Sequence, residues 1–399
     1  MKIAILGTVG VPANYGGFET LAENLVKYHA AMSLPDLITV YCSSKSYSAR
    51  LPSYLSAQLK YVPLNANGAQ SIPYDIWSLF SAVWNRNDVI LLLGVSGAIV
   101  LPLVRLASSA RIVTNIDGIE WKRQKWKGAA KWFLRLSERI AVRFSHEVIA
   151  DNGGIARHVV EAYGRDCHVI AYGGDHAIAA EGKPYDGERL PDHYALALCR
   201  IEPENNVTMI LEAFAHRPVM PLVFVGNWNN SAFGRELRQR FASLAHLHLL
   251  DPIYDLGVLR TVRGNASIYV HGHSAGGTNP SLVEMMHFGL PILAYDCIFN
   301  RYTTDDKALW FTDAQSLCAN LDHLTPDTAT EVGADMRRIA QERYAWDAIG
   351  QSYFSLFVGQ ETAMKNRLIG WLMGRPGDAL DQPPDEGGQV PDPPRSGRV

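Results

Sequence analysis

Short apolar segments alternate with amphipathic stretches along most of the 399-residue chain. In the first half the apolar segments read KIAILG, LITVYC, DVILLLG, ARIVTNID, HEVIAD and HVIAYGGD, and in the second half YALALCR, LVFVG, LHLLD, ASIYVHG and LPILAYD. Buried strands that alternate with helices are typical of doubly wound parallel sheets. The pattern therefore predicts an α/β protein with two such halves, a first helix over residues 18–29 and a last helix over residues 346–372.

The segment EGKPYDGERLP reads as a linker between the two halves. We therefore predict an N-terminal domain over residues 1–185, a C-terminal domain over residues 186–345 and a C-terminal helix over residues 346–374. Residues 375–399 hold six prolines and four glycines and almost no large apolar side chain. Such a segment cannot offset the entropy cost of ordering, which predicts a disordered tail.

One apolar run, residues 89–104, contains sixteen residues without a charge. A membrane-spanning helix needs about 20 apolar residues, and Pro102 and the GVSG sequence interrupt this run. The run therefore predicts a buried strand, a turn and a helix. The N-terminal sequence MKIAILG resembles a strand more than a signal peptide. Five scattered cysteines without a CxxC pair indicate reduced thiols, so we expect a cytoplasmic protein.

The formal net charge of −3 gives no indication of a nucleic-acid partner. Positive charge is nevertheless concentrated over residues 121–144, where Glu138 is the one acidic residue. The eight basic residues of this segment are Lys122, Arg123, Lys125, Lys127, Lys131, Arg135, Arg139 and Arg143. From Lys127 onward they recur every four residues, as on one ridge of a helix, with aromatic residues between them. Such a helix suits an anionic membrane surface, although a charged ridge is also the usual form of a solvated helix face.

Three segments at predicted strand ends carry residues suited to phosphates and sugars. Gly16 and Gly17 precede the first helix, a second glycine pair lies in the turn AGGTNPSLVE, and Arg200 ends the strand YALALCR. Glycines leave backbone N–H groups open at a helix N-terminus, where anions bind, and an arginine can clamp a phosphate. In open α/β sheets ligands bind at the carboxyl ends of strands. We therefore expect a ligand in the cleft between the two halves, although ordinary βα turns are the alternative.

The turn AGGTNPSLVE, residues 275–284, also carries one carboxylate. Asn279 or Thr278 can cap the helix that begins at Pro280. Glu284 would then lie about one turn inside a helix that is apolar nearly all round. A carboxylate in such surroundings is expected to have a partner.

The segments ANYGGFETLAENLV, NIDGIEWKRQKW, LCRIEPENN, FVGNWNNSAFGREL and HGHSAGGTNPSLVE resemble motifs of the retaining, nucleotide-sugar-dependent glycosyltransferases of the family 4 type. They are similar to a rhamnosyltransferase-type subgroup of bacterial polysaccharide biosynthesis, which builds capsules and O-antigens. The resemblance spans residues 1–353 and implies a GT-B fold, in which two Rossmann-like parallel-sheet domains face a cleft. It also implies a retaining hexosyltransferase that moves a sugar, with L-rhamnose from dTDP-rhamnose as the best guess, onto a lipid-linked saccharide.

The resemblance assigns roles to particular residues. The implied donor-binding residues are Gly16, Gly17, Arg200, Tyr254, Gly276, Gly277, Thr278, Asn279 and Glu284. Arg200 would hold the diphosphate, Glu284 the ribose hydroxyls and Tyr254 the base. The basic segment itself, apart from the resemblance, provides the expected acceptor and membrane contacts, which are Lys122, Arg123, Lys127, Lys131 and Arg135.

Asp117 and Glu120, in the segment NIDGIEWKR, are candidates for positioning the acceptor hydroxyl, and with Arg200 they form the expected catalytic set. An ordinary Asp-Gly turn is the alternative. In the retaining mechanism that the resemblance implies, the leaving diphosphate can take the proton of the attacking hydroxyl. Two carboxylates working as in a glycosidase are then not needed. No cluster in the sequence has metal-ligand spacing, so we predict metal-independent activity without a cofactor.

Two positions depart from the family pattern. A glutamate that the family carries eight residues before Glu284 is replaced by Gly276, and a lysine after the arginine is replaced by Asn205 and Asn206. A 6-deoxy sugar, which needs different hydroxyl contacts, is one explanation.

The implied partners are a nucleotide-sugar donor, a polyprenyl-diphosphate-linked saccharide acceptor and the inner leaflet of the cytoplasmic membrane, where the protein would be peripheral. Two alternatives stay open. One is a nucleotide-sugar epimerase of GT-B shape. The other is a non-catalytic nucleotide-sugar-binding subunit, which the missing glutamate and lysine would favour.

Overall fold

The computed structural model describes residues 1–13, 16–119, 121 and 128–358. Residues 1–357 form one compact unit, and the second unit, residues 358–399, lies outside the described part apart from Val358. The predicted tail and residues 359–374 of the predicted last helix therefore fall outside the described residues. The domain boundary near residue 185 stays a prediction.

The first sheet contains eight strands. They are β1 (Lys2–Leu6), β2 (Leu37–Ser43), β3 (Ser53–Tyr54), β4 (Ala57–Val62), β5 (Val89–Leu93), β6 (Arg111–Asn115), β7 (Glu147–Ala150) and β8 (His168–Val169). Their order is β3-β4-β2-β1-β5-β6-β7-β8, and only the β3–β4 pair is antiparallel. All six predicted strands of this half form. The predicted strand HVIAYGGD contributes only the two residues His168–Val169.

The second sheet contains six parallel strands. They are β9 (Ala195–Leu198), β10 (Leu222–Val225), β11 (Leu247–Leu250), β12 (Ile268–His271), β13 (Ile292–Tyr295) and β14 (Leu309–Phe311), in the order β11-β10-β9-β12-β13-β14. The five predicted strands are confirmed, and β14 is an edge strand of only three residues that the sequence pattern did not indicate.

Helices cover the faces of both sheets. In chain order they are α1 (Gly17–Ala31), α2 (Ser71–Trp84), α3 (Leu101–Ala107), α4 (Gly128–Phe144), α5 (Gly153–Tyr163), α6 (His176–Ala179), α7 (Val207–His216), α8 (Ala232–Phe241), α9 (Leu256–Gly264), α10 (Pro280–Met286), α11 (Ile298–Thr304), α12 (Ala314–His323), α13 (Pro326–Arg343) and α14 (Trp346–Val358). Helix α1 begins one residue before the predicted range of residues 18–29 and ends two residues after it. Within the described chain, no helix combines the length and apolar character that crossing a bilayer requires.

The pleat of β1 divides its side chains between two helical layers. Ile3 and Ile5 pack on the side of α1 and α14, whereas Ala4 and Leu6 pack on the side of α2, α3, α4 and α5. The first of these cores continues into the second sheet without a break, through residues such as Leu196. A separate core lies between the other face of that sheet and α7, α8 and α12.

Helix α14 follows the second half in sequence but packs against the first sheet. The Tyr353 hydroxyl, which is fully buried, accepts a hydrogen bond from Asn115 Nδ2 at 2.7 Å. Arg111 Nε donates to the Leu356 carbonyl at 2.7 Å, and Gly350 leaves room for the Tyr28 ring. The last helix therefore ties the end of the second half to the first sheet.

Replacing Tyr353 by phenylalanine should leave the buried Asn115 amide without this acceptor. An unsatisfied buried donor costs about 1–3 kcal/mol, so we expect Tyr353→Phe to lower the free energy of unfolding by that amount in urea. Gln351→Ala, on the exposed side of the same helix, is the matched control. Equal stability of the two variants would show that this hydrogen bond does not hold α14 in place.

Candidate functional site

The carboxyl ends of the strands carry the predicted site residues, and each sheet has one point at which the strand order reverses. In the first sheet this switch point lies between β1 and β5, and in the second between β9 and β12. Ligands of open α/β sheets bind at such points, because the loops diverge there and leave a crevice. The loop after β1 contains Gly7–Gly10, the loop after β9 contains Arg200, and the loop after β12 contains the AGGTN turn.

The glycine-rich loop after β1 is held by Glu19. Its Oε1 atom accepts hydrogen bonds from Val9 N at 2.8 Å and Thr8 Oγ1 at 3.2 Å, and the side chain is largely buried. Gly16 has a φ of 134°, and a Cβ atom at this position would overlap the Glu19 carboxylate. An anion at the start of α1 would thus meet a carboxylate. This arrangement favours a hydroxyl-bearing ligand over a phosphate beside Gly16 and Gly17.

The AGGTN turn of the second half touches two turns of the first half. A Cβ atom at Gly118 would lie 3.1 Å from Gly276 Cα, and a Cβ atom at Gly277 would overlap the carboxylate of Asp151. Thr278 Oγ1 donates to the Asp151 carbonyl at 2.5 Å and accepts from Asn152 Nδ2 at 3.2 Å. The predicted donor-binding residues of this turn therefore lie where the carboxyl ends of the two sheets meet.

The start of α10 is capped as the sequence indicates. Asn279 is the N-cap, its side chain accepts a hydrogen bond from Ser281 N at 3.0 Å, and Pro280 occupies the first turn. Of the two capping candidates the structure selects Asn279, because the Thr278 hydroxyl is engaged between the sheets. The side chains of both residues are thus committed to structure, and a ligand would meet the backbone of this turn.

The candidate acceptor residues follow β6. Asp117 is half-buried, has a φ of 60°, and donates its backbone N–H to Asn115 Oδ1 at 2.9 Å. It directly precedes Gly118, so it lies beside the contact between the two sheets. Glu120 lies outside the described residues. The role of both in positioning an acceptor stays a prediction.

Arg200 lies at the second switch point with its side chain about half exposed (49%). Its Nη1 atom is 4.0 Å from Glu202 Oε1, which is the geometry of a weak surface ion pair. The guanidinium can therefore reach an anionic ligand at the carboxyl end of β9 without breaking a buried contact.

Asn205 and Asn206 join the two loops of this switch point. Asn205 Nδ2 donates to the Arg200 carbonyl at 2.6 Å, and its Oδ1 lies 2.7 Å from His273 Nδ1. Asn206 Nδ2 donates to the Gly272 carbonyl at 2.8 Å. The asparagines that replace the lysine of the family pattern thus hold the Arg200 loop against the loop after β12. Their short amides bond to the backbone in a way that a lysine could not reproduce.

Glu284 has the partners that its apolar surroundings required. Its Oε2 atom forms an ion pair with Arg263 Nη2, and its Oε1 atom lies 3.2 Å from His176 Nε2. Trp346 Nε1 donates to His176 Nδ1 at 3.0 Å, which places the proton of a neutral imidazole on the nitrogen facing Glu284. Burial opposes the ionised form, but Arg263 and His176 outweigh it and hold the pKa of Glu284 below its usual range.

Arg263, His176 and Trp346 were not identified from the sequence. Arg263 is almost fully buried, although it lies in the segment LRTVRG, which reads as an ordinary surface helix. His176 and Trp346 come from distant parts of the chain, and only the fold brings them to Glu284. A buried partner for Glu284 could be expected from the sequence, but its identity could not. A carboxylate retains further lone pairs, so ribose binding by Glu284 stays a prediction.

Tyr254, the candidate for the base, lies between β11 and α9 and is 71% exposed. Strand β11 is the edge strand of the second sheet, with β10 between it and β9. Tyr254 therefore lies to one side of the switch point rather than at it, and base stacking stays a prediction.

The predicted basic ridge lies on α4. Lys131 Nζ and Arg135 Cζ lie 5.8 and 5.3 Å from the ring centroid of Trp121, whose Nε1 donates to the buried Glu138 at 3.0 Å. Lys122, Arg123 and Lys127 lie outside the described residues. In the part of the chain that the structure describes, no group of three or more His, Cys, Asp or Glu side chains is arranged to hold a metal ion.

Known proteins share this architecture. Residues 1–175 match the family model described as "Domain of unknown function (DUF1972)", and no curated protein matches the sequence. Sucrose-phosphate synthase from Thermosynechococcus elongatus is 15% identical with a TM-score of 0.72, and the match covers 93% of this chain and 99% of that one.

Two further solved structures match over similar lengths. A glycosyltransferase from Rickettsia africae ESF-5 is 13% identical with a TM-score of 0.66, covering 91% of this chain and 98% of that one. Anabaena HepE, whose structure contains UDP and glucose, is 14% identical with a TM-score of 0.63, covering 89% and 98%. At such identities the similarity establishes the fold. The chain has the GT-B fold, as the sequence motifs implied.

An alanine at position 277 should force the AGGTN turn away from Asp151. Overpacking of a well-packed contact costs about 1–3 kcal/mol, so we expect Gly277→Ala to lower the free energy of unfolding in urea by that amount. Gly264→Ala is the control, because a Cβ atom there meets nothing closer than 3.7 Å. If both variants are equally stable, the sheets do not meet at Gly277 in solution.

Replacing Glu284 by glutamine should leave the buried Arg263 without its carboxylate. Breaking a buried ion pair in this way costs about 3–5 kcal/mol at neutral pH. Because the folded-state pKa of Glu284 is lowered, its stabilising contribution is present above the pKa of a glutamate in the unfolded chain, about 4.3, and is lost as pH falls through the folded pKa.

The difference in unfolding free energy between the native chain and Glu284→Gln should therefore shrink below about pH 4. Urea unfolding over a range of pH measures it, with Glu161→Gln, at an exposed position on α5, as the control. A difference that does not change with pH would contradict an ionised Glu284 in this network.

Proposed function

We propose that the protein is a retaining glycosyltransferase that moves a sugar from a nucleotide sugar to a lipid-linked saccharide in cell-surface polysaccharide synthesis. The observation that carries this proposal is that candidate ligand-binding loops of both sheets lie at the carboxyl ends of their strands, where the two sheets meet. The glycine-rich loop after β1 belongs to one sheet, and the turn at Gly276 and Gly277 and the exposed Arg200 belong to the other. Anabaena HepE, which shares the fold, is described with UDP and glucose, which supports a nucleotide-sugar donor.

Arg200 is the group best suited to the leaving diphosphate. A guanidinium offers a planar fork of donors that matches phosphate oxygens, and charge stabilisation at a leaving group is the main task in a reaction without an enzyme nucleophile. Asp117 and Glu120 would orient the attacking hydroxyl of the acceptor, and the diphosphate would accept its proton. This chemistry needs no metal ion, and we propose that transfer proceeds without one.

The tight turn at Gly276 supports a donor sugar that differs from glucose. Gly276 has a φ of 112° and its Cα atom lies against Gly118, so a glutamate could not occupy this position without strain. The hydroxyl contact that the family glutamate would make is therefore missing. L-rhamnose from dTDP-rhamnose is our first candidate, since a 6-deoxy sugar requires a different set of hydroxyl contacts.

The basic ridge on α4 supports a lipid-linked acceptor at the inner face of the cytoplasmic membrane. Lys131, Arg135, Arg139 and Arg143 lie along it at intervals of four residues. A polyprenyl diphosphate and an anionic leaflet both carry the negative charge that such a ridge attracts.

A donor screen tests the proposal. The full chain would be incubated in EDTA with dTDP-rhamnose, UDP-glucose, UDP-galactose, UDP-GlcNAc and GDP-sugars and with a polyprenyl-diphosphate-GlcNAc acceptor, and release of nucleoside diphosphate would be measured. We expect release from dTDP-rhamnose, and a loss of about 100-fold or more in Arg200→Ala, because a donor to developing charge is removed. Arg189→Ala, at an exposed arginine of the linker, should retain full activity.

The outcomes separate the parts of the proposal. Fastest turnover of UDP-glucose would contradict rhamnose and leave the glycosyltransferase intact. Tight nucleotide binding without turnover of any donor would contradict the enzyme and favour the non-catalytic subunit. A requirement for a divalent cation would contradict metal-independent transfer.

A further inference from the structure

The outer face of α2 carries only apolar side chains. Its exposed residues are Pro73, Trp77, Phe80 and Trp84, with Trp77 58% and Trp84 88% exposed. The spacing of three and four residues places them on a single stripe of the helix. The opposite stripe is buried in the core of the first sheet. The exposed face of α2 is thus apolar, although surface helices of globular proteins normally present a polar outer face.

The neighbouring helices also expose large apolar side chains. Helix α3 contacts both α2 and α4 on the same side of the first sheet, and it exposes Leu103 and Leu106, the latter by 86%. Trp132 on α4 is 67% exposed. We call this surface the apolar helical face, and its members are Trp77, Phe80, Trp84, Leu103, Leu106 and Trp132. An exposed apolar surface of this extent indicates an interaction site.

Every exposed charge on α2, α3 and α4 is positive. The acidic residues of these three fully described helices are Asp75 and Glu138, which are 3% and 1% exposed and so do not face solvent. The positive residues lie beside the apolar helical face, and they are Arg105, Lys131, Arg135, Arg139 and Arg143. A surface with large apolar groups, tryptophans and only positive charges is typical of a protein that lies on an anionic membrane.

A groove beside α4 adds a place for phosphate groups. It has a volume of about 1170 Å³ and is lined by arginines of α3 and α4 together with Arg165 and His146. Ile112 N donates to His146 Nδ1 at 2.8 Å, and Nε2 of the same ring contacts Arg105 Nη1. The guanidinium groups that line the groove are charged donors whose geometry suits phosphate oxygens.

We propose that α2, α3 and α4 form a membrane-docking face. The apolar helical face enters the boundary between headgroups and acyl chains, and the arginines of α3 and α4 bind the phosphates of anionic phospholipids. The purpose of this docking rests on the proposed function, because the enzyme would meet a lipid-linked acceptor at the membrane. It names an insertion surface on α2 and α3, in addition to the basic ridge of α4, and its binding step can be measured without any transfer reaction.

The test is cosedimentation of the full chain with vesicles of phosphatidylcholine alone or mixed with phosphatidylglycerol. We expect binding to the mixed vesicles and much weaker binding to phosphatidylcholine. The double variant Trp77→Ser, Trp84→Ser should bind the mixed vesicles at least tenfold more weakly, because the transfer of two exposed indoles from water into the membrane is lost. Arg139→Gln and Arg143→Gln should each weaken binding about fivefold and reduce its salt dependence.

Matched controls lie away from this face. Met32 is 56% exposed at the end of α1, on the opposite side of the first sheet, and Arg189 is exposed in the linker. Met32→Ser and Arg189→Gln should bind vesicles like the native chain. Unchanged thermal unfolding of all variants will show that the exposed side chains are not needed for folding.

Three results would overturn the proposal. They are equal binding to both kinds of vesicle, equal binding by the tryptophan variant and its control, and a dimer in solution that Trp84→Ser converts to a monomer. The last result would assign the face to a second copy of the chain. If vesicle binding behaves as expected but no donor is turned over, the docking face stands and the proposed function fails. If transfer occurs but vesicles do not bind, the proposed function stands and the docking face fails.

Discussion

The close approach of Gly118 to Gly276 and Gly277 is the constraint on which the arrangement of the candidate site depends. Here two backbone turns from different sheets meet without side chains between them, and the Thr278 hydroxyl bonds to the Asp151 carbonyl across the contact. Any side chain at Gly277 would separate the turns. The contact sets the distance between Arg200 in one half and the glycine-rich loop in the other, and thereby the width of the crevice that a ligand can enter.

A buried charge network supports the same region from the second half. Glu284 binds Arg263 and His176, and His176 in turn binds Trp346 at the start of α14. Because α14 packs on the first sheet, this chain of contacts links α10, which follows the AGGTN turn, to the first sheet. A ribose at Glu284 would join a network whose charge is already balanced, so its hydroxyls would bind an oriented carboxylate at little further ordering cost.

The sequence predicted the features that depend on local pattern. Strands such as Val89–Leu93 are runs of apolar residues between turns, and the N-cap at Asn279 follows from residue type and Pro280. Strand β4 (Ala57–Val62) was not predicted because Gln58 and Lys60 interrupt its apolar residues, and it lies near the sheet edge. The partners of Glu284 and the loop-joining role of Asn205 arise from contacts between distant segments, which no periodicity records. The outer stripe of α2 was equally hidden, since an apolar helix reads alike whether it is buried or exposed.

The distribution of charge indicates how the protein would be oriented as it approaches an anionic surface. Residues 121–144 contribute eight basic residues and one acidic residue, which leaves 29 basic and 39 acidic residues, a net charge of −10, for the rest of the chain. An anionic surface attracts the former and repels the latter, and the field acts over about a Debye length before any apolar contact forms. The chain would therefore approach such a surface with α4 leading, and α2 and α3, which are packed beside α4 on one sheet, would arrive at the headgroups already oriented for insertion. Electrostatic attraction alone would not fix this orientation, and the exposed tryptophans alone would not select an anionic surface, so the two features act together only because the fold places them on adjacent helices.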